Sequence, residues 1–157
     1  MVVLATTNPL TAQSSAALEF MGFRPGMSSA DVQARVSALG GKWSCSLSKV
    51  DSRFSECRAT INADAGGQFQ LIGSVVGGTT AILLISGEVE DSALTRWVDD
   101  LSAKYGKVTA RLANTQAMWQ WVRARRMIRI TTRIERSNRV ASVSLVDGIT
   151  LDSLGGG

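Results

Sequence analysis

Apolar residues first recur with a helical period at Val32, Val36 and Leu39, at spacings of four and three. Ser28 or Ser29 can cap this helix, and Asp31 lies in its first turn, where the helix dipole favours negative charge. Gly40-Gly41 stops it. The period then shortens. Residues 42–47 alternate as a strand, 48–55 form a polar loop bracketed by Cys45 and Cys57, and 57–61 resume as a strand. Residues 62–67 carry turn chemistry, and the β-rich runs 69–76 and 79–86 are joined by Gly77-Gly78, a strong hairpin signal.

The same order then returns. Asp91 or Ser92 caps a second helix whose buried stripe is Leu94, Trp97, Val98 and Leu101, with Lys104 and Lys107 at its negative end. A strand is predicted over 118–125, and a hairpin about Ser137-Asn138 joins 127–134 to 140–146. Asp147-Gly148 ends the last strand, and 149–154 can cover a sheet edge. Ahead of the first helix, 14–22 reads as weakly helical. The two halves are offset by about 60 residues, the mark of a diverged tandem repeat. The expected fold class is therefore α+β: two tandem helix-plus-antiparallel-strand repeats, 24–88 and 89–152, forming one sheet with the helices packed on one face. Neither repeat alone is large enough to bury both faces of a helix and a sheet, so the halves are expected to form one domain. Residues 1–23 are an N-terminal tail or signal remnant and 153–157 a flexible tail.

Composition narrows the chemistry. The chain has 157 residues, 45% of them hydrophobic and 19% charged, which is ordinary for a globular domain. It has no histidine, which removes imidazole as a base and as a metal ligand; two cysteines cannot complete a four-cysteine metal site. No phosphate loop, dinucleotide fingerprint or nucleophile elbow is present, and the acidic pairs do not converge. No enzyme, cofactor or metal is expected. The net charge of +4 permits an acidic partner without demanding one. No run approaches the roughly 18 apolar residues that a membrane-spanning helix needs. Leu10-Thr11-Ala12-Gln13 resembles the end of a secretory signal, although a basic start and a full apolar stretch are missing. A start codon assigned too late explains this as well as a plain tail does.

Pro25-Gly26-Met27-Ser28-Ser29-Ala30-Asp31-Val32, followed by Leu39-Gly40, resembles the opening of β-lactamase-inhibitor-protein-like folds and of the small lipoproteins of the outer-membrane β-barrel assembly machinery. Ser144-Leu145-Val146-Asp147-Gly148 is similar to the last strand of their repeats, and the likeness spans most of 24–152 in element order. The second half lacks both the cysteine pair and the Gly-Met-Ser motif. The resemblance implies a protein-binding fold, a disulfide between Cys45 and Cys57, and Asp64 as the acid presented to a partner. A bond closing that loop would add about 3 kcal/mol in the chain-entropy model and points to an oxidising, periplasmic or extracellular compartment. Asp64 equally suits a turn that bonds its own backbone.

The remaining candidates are basic and aromatic. Trp119, Trp121, Arg123 and Arg125 fall on one face of a predicted strand, and Arg129 and Arg133 take the outward face of the next. Arginines beside aromatics suit an acidic protein surface or a nucleic acid. Arginine stems can also shield a sheet face, with the tryptophans in the core. The expected function is an exported, non-enzymatic module binding a protein partner through its open sheet face, with nucleic-acid or polyanion binding as the alternative. The oligomeric state is open.

Overall fold

The computed structural model describes residues 17–63 and 67–155. Helix α1 (Ser29–Ala38) leads into strands β1 (Ser44–Leu47), β2 (Phe54–Asn62), β3 (Gln68–Val76) and β4 (Thr79–Glu88). Helix α2 (Asp91–Tyr105) leads into β5 (Arg111–Ala113), β6 (Gln116–Arg123), β7 (Arg126–Glu135) and β8 (Asn138–Asp147), and α3 (Gly148–Gly155) follows. The strands form one antiparallel sheet in the order β1-β2-β3-β4-β8-β7-β6-β5. Each half is thus a helix followed by a four-stranded meander, and the meanders join where β4 pairs with β8. This is the α+β fold expected.

Local chemistry sets the elements. Ser28 Oγ accepts the Asp31 amide at 3.1 Å and caps α1, whose Val32 and Val36 are fully buried. The entry to α1 is pinned to the β3–β4 hairpin: Ser29 N donates to Gly78 O and Thr80 N donates to Met27 O. Gly77 and Gly78 both have positive φ, as a two-residue hairpin turn requires. Along β3, Phe69, Leu71 and Val75 are buried while Gln70 and Ile72 are exposed, the alternation of a sheet covered on one side. The core lies between α1, α2 and that side of the sheet, and takes in Val36, Leu83, Ile85, Leu94, Leu101, Ile128, Ile130 and Val143.

Trp43 shows how tightly this layer is fitted. Its indole lies over β3 at Gly73, where a Cβ would sit 2.5 Å from the ring, and its Nε1 donates to Ser29 Oγ at 3.1 Å. Removing backbone freedom by Gly73→Ala would ordinarily stabilise by about 0.4–1 kcal/mol. Overpacking against an indole costs about 1–3 kcal/mol, and it wins here because the ring has no flexible end to move aside. Gly73→Ala is therefore expected to lower the midpoint of chemical unfolding; a raised midpoint would show that Trp43 gives way.

Four expectations change. Residues 17–22 are not helical: Phe20 and Phe23 exchange both backbone hydrogen bonds around Met21-Gly22, each at positive φ, and their rings enter the core. The strand expected over 118–125 runs from Gln116 to Arg123, and Ala124-Arg125 is a hairpin turn. The next turn is Arg136-Ser137, one residue before the position predicted. Residues 149–154 belong to α3, which links the two halves at one end of the sheet. The Gly148 amide donates to Arg125 O in the β6–β7 turn, and Arg53 Nη1 donates to Leu154 O.

Candidate functional site

The β6–β7 register decides what the basic strands can present. Arg123 pairs with Arg126, Trp121 with Ile128, and Trp119 with Ile130, and residues directly opposite in an antiparallel pair share a face. Ile128 and Ile130 are buried under the helices, so Trp119, Trp121 and Arg123 are on that side too. Trp121 is 3% exposed and donates its Nε1 to Gly106 O at 2.8 Å. Trp119 packs against the core. The Arg123 guanidinium lies 5.0 Å from the centre of the Tyr105 ring, and the Tyr105 hydroxyl donates to Ala17 O and accepts from Glu19 N. Arg125 lies in the turn and ion-pairs with Asp152 on α3.

The single face of Trp119, Trp121, Arg123, Arg125, Arg129 and Arg133 is therefore corrected. Only Arg129 and Arg133 stand on the open side. Arg129 donates from Nε and Nη2 to Gln120 Oε1, at 2.9 and 2.8 Å, and Arg133 ion-pairs with Glu135 at 3.1 Å. Asp64 lies outside the described residues.

The open side carries a feature that periodicity alone did not bring out. Register places Ile82, Val146, Met127 and Val122 in one row across β4, β8, β7 and β6. Ile72 and Leu84 pair in the next row, so six apolar side chains run diagonally over the join between the halves. Val122 is 58% and Ile72 39% exposed. Arg58 pairs with Ile72, and Arg129 pairs with Ser144 in the row of Ile72 and Leu84. Arg133, opposite Val140, lies two outward positions further along β7, and Glu56 joins the Ile82 row through Ser74. Each outward residue alternates with a buried one, so the stripe was present in the chain. It becomes legible only once strand pairing is known.

The disulfide joins Cys45 and Cys57, which lie directly opposite on β1 and β2 with a Cα–Cα distance of 4.0 Å. Cys57 is fully buried, so the bond faces the helix side and not the open side. In the loop it closes, Arg53 donates a side-chain hydrogen bond to Asp51 and holds that carboxyl below the usual carboxylate range. Asp147 is the one buried carboxylate among the described residues. Its Oδ1 accepts from Arg126 Nε and the Ile149 amide, and its Oδ2 from Thr150 Oγ1 at 2.6 Å. Those bonds tie β7, β8 and α3 together, a structural task. Among the described residues, no group of three acids or cysteines stands close enough to hold a metal ion, and no helix is long and apolar enough to cross a membrane.

The chain matches no protein-family model, no curated protein and no solved structure at a significant level.

Proposed function

We propose that this protein is an exported, non-enzymatic binding module whose open sheet face takes an acidic, partly apolar surface of another protein. The observation that carries the reading is the diagonal apolar stripe flanked by Arg58 and Arg129, with Arg133 further along the same face. An apolar centre with arginines around it suits a protein interface, where arginine is enriched and desolvated apolar area supplies affinity. Charge complementarity selects the partner: guanidinium groups beside the stripe favour carboxylates and disfavour a second copy of the same face. The resemblance to inhibitor-protein-like folds supports the same use of the sheet. The disulfide supports an oxidising compartment, and hence the periplasm or the exterior. A nucleic acid would use the same arginines, but the buried Trp121 and core-packed Trp119 offer no stacking platform on this side.

The test is crosslinking in an envelope fraction with wild type, the double variant Arg129→Glu/Arg133→Glu, and Lys104→Glu as a control on α2. A specific adduct is expected to be at least about tenfold weaker with the double variant and unchanged with the control, because reversed charges at an interface repel as well as fail to attract. Equal adducts from all three proteins would reject the face. Binding to single-stranded DNA that falls steeply with salt, with no protein adduct, would favour the polyanion reading.

A further inference from the structure

At the end of the open face away from β6, a shallow hollow of about 400 Å³ lies over β1, β2 and β3. It is lined by Lys42, Ser44, Arg58, Thr60, Gln70 and Ile72. Arg58 stands between Ser44 and Ile72, and Thr60 stands opposite Gln70. Lys42 reaches the hollow because the chain before β1 is fastened to β2. The Asn62 amide donates to Leu39 O, and a Cβ on Gly41 would run into the carbonyl oxygen of Thr60. On the other side of Lys42, Trp43 is buried against Gly73. Lys42 is thus held between two fixed neighbours.

The lining contains two cations and no acid. Neither Lys42 nor Arg58 forms an ion pair among the described residues. Glu56, the next outward residue of β2, lies outside the lining, opposite Ser46 and Ser74. At the other end of the Arg58 row, Arg129 already gives Nε and Nη2 to Gln120. The uncommitted positive charge is therefore at Arg58 and Lys42, and it selects an anionic group. The guanidinium can take a carboxylate through two parallel hydrogen bonds. The hydroxyls of Ser44 and Thr60 and the amide of Gln70 can donate to it as well.

Apolar surface adjoins the charge at a defined spacing. Ile72 is opposite Arg58 and Leu84 is opposite Ile72. With strands about 4.8 Å apart, these two stand roughly 5 and 10 Å from Arg58 along the row. An extended segment crossing the strands places alternate side chains about 6.6 Å apart, so the residue two beyond the acid falls between Ile72 and Leu84.

We propose that the hollow holds a side-chain carboxylate of the partner protein, in an extended segment whose second residue beyond the acid is apolar. The carboxylate sits on Arg58 and Lys42, and the apolar side chain lies over Ile72 and Leu84. The inference rests on the open face being a protein-binding surface, and it names the chemistry of the segment bound there.

The probe is N-acetyl-Glu-Ser-Leu-amide, followed by amide chemical shifts in the ¹⁵N-labelled protein. Gln-Ser-Leu and Glu-Ser-Ser peptides with the same blocking groups, and inorganic phosphate, serve as controls. Glu-Ser-Leu is expected to move the amides of Arg58, Thr60, Gln70 and Ile72 in a saturating manner and to bind more tightly than any control. Arg58→Gln and Lys42→Gln should each weaken it by about two- to fivefold, the scale of a solvent-exposed charge pair. Glu56→Gln should strengthen it, and Lys104→Gln on α2 should leave it unchanged. Unmoved amides with the peptide in large excess, or equal affinity for Gln-Ser-Leu or Glu-Ser-Ser, would overturn the proposal. Phosphate binding as tightly as the peptide would replace it with a general anion site. Unchanged shifts outside the hollow show that the variants remain folded. The two readings fail separately. An adduct lost in Arg129→Glu/Arg133→Glu with unmoved hollow amides rejects the hollow alone, whereas peptide binding with an adduct indifferent to that variant rejects only the wider face.

Discussion

Trp121→Ala is expected to lower the stability of the protein by about 3–5 kcal/mol, the range for deleting a buried tryptophan. For a chain of this size that corresponds to a melting temperature lower by about 10 °C or more. The indole is 3% exposed and belongs to the core cluster beside Ile128 and Ile130. Its Nε1–Gly106 bond adds little to the cost, because Gly106 is exposed and water can take over its carbonyl. The informative comparison is the next residue on the same strand. Val122 is 58% exposed on the open side, and Val122→Ala should change stability by less than about 0.5 kcal/mol. Thermal unfolding of the two variants separates the faces of β6. If Trp121→Ala left the melting temperature unchanged, the β6–β7 register, and with it the stripe, would be wrong.

That register also marks where reading the chain stops short. The first hairpin was legible because Gly77-Gly78 announces a turn with two positive φ angles, and glycine adopts them at no steric cost. The turns of the second half ask for the same geometry from Ala124-Arg125 and Arg136-Ser137, all four at positive φ. No glycine signals them. Residues 118–125 therefore read as one strand running through the turn, and the parity between β6 and β7 was lost. A one-residue error in register moves every side chain to the other face, which is how two core-side tryptophans came to be grouped with outward arginines. Parity did contain the answer: a two-residue turn at 124–125 pairs odd positions of β6 with even positions of β7, and Ile128 and Ile130 mark the buried side.

Other parts of the fold were hidden because their causes are long-range. Leu18, Phe20 and Phe23 belong to the core, yet the segment that carries them is held by Tyr105, far along the chain. β5 has three residues, all exposed, and leaves no periodic trace. Asp147 reads locally as a strand end, whereas its burial and its bonds to Arg126 and Thr150 come from the meeting of β7, β8 and α3. By contrast α1, α2 and the β3–β4 hairpin were readable because cap, stripe and stop agree at each.

Loss of the Cys45–Cys57 bond is expected to cost about 3 kcal/mol, the loop-closure entropy of a ring this size. The damage should also be local. β1 is an edge strand of four residues, all exposed, and it pairs only with β2. Its hydrogen bonds are therefore the first to be lost once the covalent link is gone. The double variant Cys45→Ala/Cys57→Ala is preferable to a serine pair, because Cys57 is fully buried and a hydroxyl there would lack a guaranteed partner. Amide exchange should accelerate at Ser44–Leu47 and along the freed edge of β2, while β7 and β8, at the other side of the join, keep their protection. Before reduction the protein should be lighter by two hydrogen atoms than the reduced form and should take up no alkylating reagent. Alkylation of both cysteines in the unreduced protein would remove the bond and, with it, the strongest support for an oxidising compartment. If the bond forms but its loss leaves stability and β1 exchange unchanged, β1 is held by its pairing to β2 alone.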